Sequence, residues 1–440
     1  MPQVLDPPTT VVGRLKYLGP GFILSAAIVG SGELIATTAL GAKAGFITFW
    51  VILVSCLVKV ALQLEFGKNA IYTGTFTMHN FNQIPGLRIK NTHWTIWLWL
   101  SLQGFKLLQV GGIVGGVAIV LHMVFPALSV NLWAIASVLV TSLILYRGNY
   151  GPVEKVSFIL IILFTSVILI SLYLLQWTPY AIQWFQIKEG LQFSLPIGLV
   201  GIAFGAFGIT GVGGDEIMYY NYWCIEKGYA AYVGPNNGSD QWNSRAKGWF
   251  KVMYLDAVLS MVVYTIVTAA FYLLGAAVLH SQGEVPEGYE MIEVLSRIFT
   301  VTLGPWAKFL FLIGAFAALY STLFTATASW ARVWGDAFGE LGWMKFKTKS
   351  EQKKTLAILT WVLPMVWCIL FLFIQAPVMM IILGGIATSI LLLIIVYVAI
   401  HFRYRELPLA LRPSIGYDIF FWISTISILV VSGYGVWKVI

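Results

Sequence analysis

Apolar positions run through this chain in long stretches, and polar positions gather in short clusters between them. Eleven apolar stretches are legible, at about 20–40, 46–66, 93–122, 128–146, 155–176, 195–222, 252–279, 305–331, 355–375, 378–402 and 417–437. Most approach the ~20 residues a helix needs to cross a hydrocarbon layer. The third, sixth and eighth are long enough to tilt, bend or project. The pattern predicts an all-α membrane protein with 11 transmembrane helices. Composition agrees: 59% of the 440 residues are hydrophobic and 10% charged, more apolar surface than a soluble core needs.

Two apolar stretches are interrupted by glycine and then carry acids. The first reads Gly30-Ser31-Gly32-Glu33, the second Gly211-Val212-Gly213-Gly214-Asp215-Glu216. An ionisable group at membrane depth is expensive and points to function. The interruptions fall in the first and sixth stretches, about 180 residues apart. Five crossings later a segment is inverted, the arithmetic of a five-plus-five inverted repeat, at about 20–176 and 195–402, with an extra helix at about 417–437. The whole chain then forms one transmembrane domain. Glycine loosens the helix, and unpaired carbonyls at a break face a cavity where they can coordinate a cation. Glu33, Asp215 and Glu216 would add two or three carboxylates at one midplane site, with Gly30, Gly211 and Gly213 supplying the open backbone. Unpaired, they would repel one another and take up protons; a dication, an amine or a proton relieves that. Asp215 and Glu216 point about 100° apart on a regular helix, and Asp215 is preferred for the site.

Charge fixes the expected orientation. With the amino terminus inside, twenty of the 27 lysines and arginines fall on inside segments and five outside, while Lys59 and Lys106 lie within spans. That bias predicts a multi-pass cell-membrane protein with a cytoplasmic N-terminus and an external C-terminus, in the style of a bacterial inner membrane. It also explains the net charge of +8 without a nucleic-acid surface. The first 19 residues include Asp6, Arg14 and Lys16 and show no cleavable signal. Cys56, Cys224 and Cys368 lack metal-type spacing and read as packed thiols. The inside stretch from Glu226 to Lys251 reads as a flexible connector, whose Asn237-Gly238-Ser239 acceptor faces the wrong side for glycosylation. The outside stretch with Glu284, Glu287, Glu290 and Glu293 reads as a solvated acidic loop.

Other residues divide between chemistry and packing. Lys106 would neutralise a site acid, replace a coupling cation, or pair for stability. Lys59 would snorkel or pair, and carries no assigned function. Asn221 is a candidate oxygen ligand or gate, and Met218 reads as packing. On the tenth span Thr388 or Ser389 is placed better than Gln375, which lies near the outer end. Gly111-Gly112 and Gly115-Gly116 lack the context of a phosphate loop and read as close helix packing.

Several segments resemble the natural resistance-associated macrophage protein (Nramp) family of divalent-metal transporters. These are Gly19-Pro20-Gly21-Phe22, the stretch from Gly30 to Phe46, Gly148 to Glu154, Tyr254-Leu255-Asp256-Ala257, and Leu303-Gly304 through Trp334. The resemblance implies a LeuT-type fold, alternating access and a cation site between helices 1 and 6, both broken. The departures matter as much. Gly30-Ser31-Gly32-Glu33 stands where the family has Asp-Pro-Gly-Asn, and Asp215 or Glu216 falls near its sixth-span methionine. Gln109 and Gly112 lie near its acidic proton-path positions, with Lys106 one turn earlier. Oxygen in place of methionine sulfur would favour hard ions, as in the family's magnesium-transporting relatives. The expected function is secondary transport of a hard divalent cation, Mg or Mn, as substrate. No cofactor, enzymatic activity, nucleic acid or obligatory protein partner is expected, only the cation and membrane lipid. The alternative is an amino acid or organic amine: Gly-Ser-Gly also resembles the carboxylate-binding motif of amino-acid/polyamine transporters, and Phe204 and Phe207 would suit such a ligand.

Overall fold

A computed structural model describes residues 4–30, 32–283 and 290–439; Ser31, Glu284 and Glu287 lie outside the described residues. The described chain is almost entirely helical, with one two-stranded antiparallel hairpin, Arg88–Ile89 against Thr92–His93. The main helices are α1 (Pro20–Ile28), α2 (Thr38–Ala44), α3 (Phe49–Thr73), α4 (Trp94–Val124), α5 (Val130–Leu145), α6 (Tyr150–Leu175), α7 (Val200–Ile209), α8 (Gly214–Lys227), α9 (Asp240–Leu274), α10 (Pro305–Glu340), α11 (Lys349–Ile374), α12 (Pro377–His401) and α13 (Ile415–Val439).

Each predicted stretch holds helix, but eleven crossings do not follow from length and composition alone. Among the described residues nine helical segments are long and apolar enough to cross a membrane, and a tenth if α1 and the segment ending in α2, bent by 48°, count as one. The remaining candidate, α5, has only 16 residues. Ends follow local chemistry. Proline, which needs no backbone N–H, opens α1, α10 and α12. The Ser129 hydroxyl caps α5, and Thr348 with Glu351 forms a capping box on α11.

The connector expectation needs correction. Residues 226–251 are mostly helical: α8 runs to Lys227, a short helix spans Tyr229–Val233, and α9 begins at Asp240, capped by the Ser239 hydroxyl. Only the glycine-, proline- and asparagine-rich link 234–239 is irregular. The acidic outer stretch is also partly helical, since Glu290 and Glu293 open the helix Glu290–Leu303.

Buried charge is neutralised by partners, as a low dielectric demands. Lys68 pairs with Glu65 at 2.6 Å and Arg332 with Glu226 at 2.6 Å. Large apolar side chains such as Ile159, Phe373 and Ile426 stay exposed on the outer helices, a surface suited to lipid. The Asp256 carboxylate on α9 accepts from the Gly19 N–H (2.8 Å), the Gly21 N–H (2.6 Å) and the Tyr220 hydroxyl (2.9 Å). It therefore satisfies orphan donors at the start of α1 and ties α1, α8 and α9 together.

Candidate functional site at the two helix breaks

The breaks lie side by side. Leaving α1, the chain passes Gly30, re-enters as a π-helical turn at Gly32–Thr37, and continues into α2. A Cβ on Gly30 would overlap the Thr322 hydroxyl and lie 2.5 Å from the Thr322 Cβ, so α10 approaches the break closely. At the second break α7 stops at Ile209, Thr210 is extended, and Gly211 takes φ +66°, a left-handed value that suits glycine. The chain re-enters as α8 at Gly214. The π-helical turn packs against α7, and α8 packs against α1.

Glu33 stitches the breaks together. Fully buried, it accepts the Gly211 N–H on one oxygen (2.8 Å) and the Thr37 hydroxyl on the other (2.8 Å). Asp215 is committed elsewhere. It forms an ion pair with Lys106, and its Oδ1 accepts from Trp99 Nε1 (3.4 Å) and Gln103 Nε2 (3.3 Å). Lys106 also donates to Thr388 Oγ1 at 2.8 Å, linking α4, α8 and α12. Across the second break, the Lys59 ammonium of α3 donates to the carbonyls of Phe207 (2.5 Å) and Thr210 (2.6 Å).

A cavity of about 50 Å³ opens between the breaks and the faces of α4, α10 and α12. Of the residues singled out in the sequence, Gly211, Gly213, Glu216, Lys106, Gln109 and Thr388 line it. Glu33, Asp215, Gly30 and Asn221 do not. Glu216, not the preferred Asp215, lines it, because Asp215 turns toward α4. Asn221 instead points its amide at Asn69 Oδ1 (3.4 Å) and the Thr75 carbonyl (3.3 Å). The cavity also takes in Thr322, Tyr219 and Trp330, which the sequence reading did not single out. Thr322 is one of five closely spaced hydroxyl residues on α10, Ser321 to Ser329, so the sequence offered no signal that selected it. Phe204 and Phe207 do not line it; Phe204 packs against Tyr434 and Phe207 lies under Lys59.

The three acids are therefore not gathered at one point. Among the described residues no three His, Cys, Asp or Glu side chains are grouped to hold a metal. Counted as ionised, Lys59 and Lys106 against Glu33, Asp215 and Glu216 leave one negative charge. Glu216 has no ion pair among the described residues, and the Gln109 carboxamide oxygen is buried there without a hydrogen-bond partner.

A model of the Natural resistance-associated macrophage protein-like family matches residues 21–438, nearly the whole chain. The chain belongs to the Nramp family. Its members are membrane transporters, not enzymes. Among curated relatives, the chain is 25% identical to the divalent metal cation transporter MntH of Caldanaerobacter subterraneus subsp. tengcongensis over 321 residues, 70% of this chain and 68% of that one. A solved manganese transporter of Eremococcus coleocola superposes with TM-score 0.72 at 16% identity, covering 98% of this chain and 88% of that one. MhsT, solved in complex with L-phenylalanine, superposes with TM-score 0.62 at 15% identity, covering 98% and 99%. These likenesses establish the LeuT-type fold, and within this Nramp frame the Asp256 clasp explains why Gly19 to Phe22 opens the first helix.

Proposed function

We propose that this chain is a secondary transporter of a hard divalent cation, Mg²⁺ or Mn²⁺, working by alternating access through the cavity between its two helix breaks. One observation carries the reading. The cavity holds a carboxylate, Glu216, that forms no direct ion pair among the described residues, beside hydroxyl, carboxamide and backbone oxygens; the Lys106 ammonium, which also lines it, is paired with Asp215. Among the described residues no cysteine, histidine or methionine lines it; Met218 is fully buried elsewhere. The cavity's metal-ligating atoms are oxygens, which favour Mg²⁺, Ca²⁺ or Mn²⁺ over softer metals, and a small magnesium ion keeps several of its waters, which suits a site with few protein ligands. The family match and the divalent-metal name of its MntH relative point the same way.

Size argues against the organic alternative. A space of about 50 Å³ accommodates a small ion with a few waters. Sites for organic ligands run to roughly 300–1,000 Å³. The fold does not choose, since MhsT was solved with an amino acid. The lysine and arginine bias supports a cytoplasmic amino terminus, and the two adjacent breaks support the inverted-repeat reading. Uptake into proteoliposomes tests the function: Mg²⁺ or Mn²⁺ flux in the wild type that collapses in Glu216→Gln is expected. Amino-acid or amine flux indifferent to divalent metal would overturn it.

A further inference from the structure

Lys59 was given no role by its sequence position, yet its surroundings form a built site. It projects from α3, fully buried, toward the place where α7 ends. The last carbonyls of a helix have no intrahelical donors and carry partial negative charge. Two carbonyls at this end, those of Phe207 and Thr210, accept from the Lys59 ammonium at 2.5 and 2.6 Å. The Ser55 hydroxyl, one turn earlier on α3, reaches the same two at 3.0 and 3.1 Å, and the Thr210 hydroxyl lies 2.9 Å from Ser55 Oγ. One residue further along, the Gly211 N–H is held by Glu33. The carbonyl side of the break thus faces a fixed cation and the amide side a fixed anion. Snorkelling does not describe this lysine, because its charge ends on backbone carbonyls inside the protein.

Unwound carbonyls at a broken helix are the groups with which transporters of this architecture bind small monovalent ions. We propose that Lys59 is a tethered ammonium filling a monovalent-cation cage made by the Phe207 and Thr210 carbonyls with the Ser55 and Thr210 hydroxyls, so that the second break is held without a bound sodium, potassium or ammonium ion. The two carbonyls that touch the ammonium are neutral, which suits a single charge, and the two hydroxyls brace them. The lysine stem tethers that charge to α3, leaving the neighbouring cavity as the place where a transported ion would bind. Lys59 is here a positioning residue: it acts on the break backbone and does not line the cavity.

Emptying the cage tests this. Wild type, Lys59→Ala and Lys59→Met are purified in detergent and melted in chloride salts of sodium, potassium, ammonium or methylammonium, against N-methyl-D-glucamine at equal ionic strength. The wild type is expected to melt at one temperature in all five. Lys59→Ala should melt lower in N-methyl-D-glucamine and rise saturably with at least one small cation. Lys59→Met, whose stem still fills the space, should melt lower and not respond. A flat Lys59→Ala response overturns the proposal, as does a cation-specific rise in the wild type or an equal response in Lys59→Met. Where Lys59→Ala does not survive purification in N-methyl-D-glucamine, purification in each small cation decides: folded protein only in a small cation supports the cage, and none in any cation refutes it. The readout is melting, so it stands apart from the identity of the transported substrate.

Discussion

The Lys106–Asp215 pair allows the sharpest test of how charge is managed at this site. Both residues are nearly inaccessible, 4% and 1% exposed, and they join α4 to α8 at the edge of the candidate cavity. Removing one partner from a buried pair strands the other, a loss of about 3–5 kcal/mol. A Coulomb estimate gives the same scale, about 4 kcal/mol for unit charges at ~4 Å and an effective dielectric of ~20. Lys106→Met leaves Asp215 with only the long contacts from Trp99 (3.4 Å) and Gln103 (3.3 Å). Asp215→Asn leaves Lys106 without an ion pair, holding only the Thr388 hydroxyl at 2.8 Å with the Glu216 carboxylate elsewhere in the cavity lining. Each single variant should therefore lose about 3–5 kcal/mol, while Lys106→Met/Asp215→Asn should return to within about 1–2 kcal/mol of wild type. Unfolding in mixed micelles, followed by the fluorescence of the 18 tryptophans, measures all four corners of the cycle. Single losses below about 1 kcal/mol, or an additive double variant, would refute the reasoning, because charges so buried cannot be removed independently.

Three further outcomes are expected. Glu216→Gln should leave stability within about 1 kcal/mol, since no ion pair is broken, while divalent uptake falls about 10- to 100-fold, the equivalent of the roughly 1.5–3 kcal/mol carried by an interaction with a charged group; uptake and melting together check this. Gly30→Ala should destabilise by about 1–3 kcal/mol through overpacking against Thr322, and Thr322→Ala in the same chain should recover only part of it, because the Cβ 2.5 Å away remains, read by thermal unfolding. At the loop face, the Glu340 carboxylate 3.0 Å away raises the His79 pKa above the ordinary histidine value. Its stabilisation is therefore fully present below pH ~6.5 and lost as pH rises through the raised value. His79 is well exposed, so the effect is small; comparing wild type with His79→Gln across pH 5.5 to 8 reads it, and a difference that grew with pH would contradict the sign.

Long-range order followed from local rules at the level of elements. Every apolar stretch became helix, because a chain in hydrocarbon must satisfy its own backbone. The paired glycine breaks were legible because clustered glycines weaken a helix and an acid beside them is costly inside an apolar run. The connector was misread because its polar composition hid the Ser239 cap that starts α9 at Asp240. Partnership was legible only in part: Lys106 was expected to neutralise or pair with a site acid, but not which one. Asp215 and Glu216 are neighbours in sequence, but helical phase turns one toward Lys106 and the other into the cavity. Glu33 belongs to the first break, yet its oxygen is taken by Gly211, 178 positions away.

The sequence by itself determined that this is a membrane-embedded helical chain of the Nramp kind, with two weakened helices and too many charges within them to be incidental. Hydrophobic length and glycine placement are local properties, and they survive in a string of letters. Which acid remains open to a cation was decided only by the tertiary structure. A buried charge is neutralised by whatever group packing brings within about 4 Å, and at this site those groups come from α3, α4 and α12, far apart in the chain.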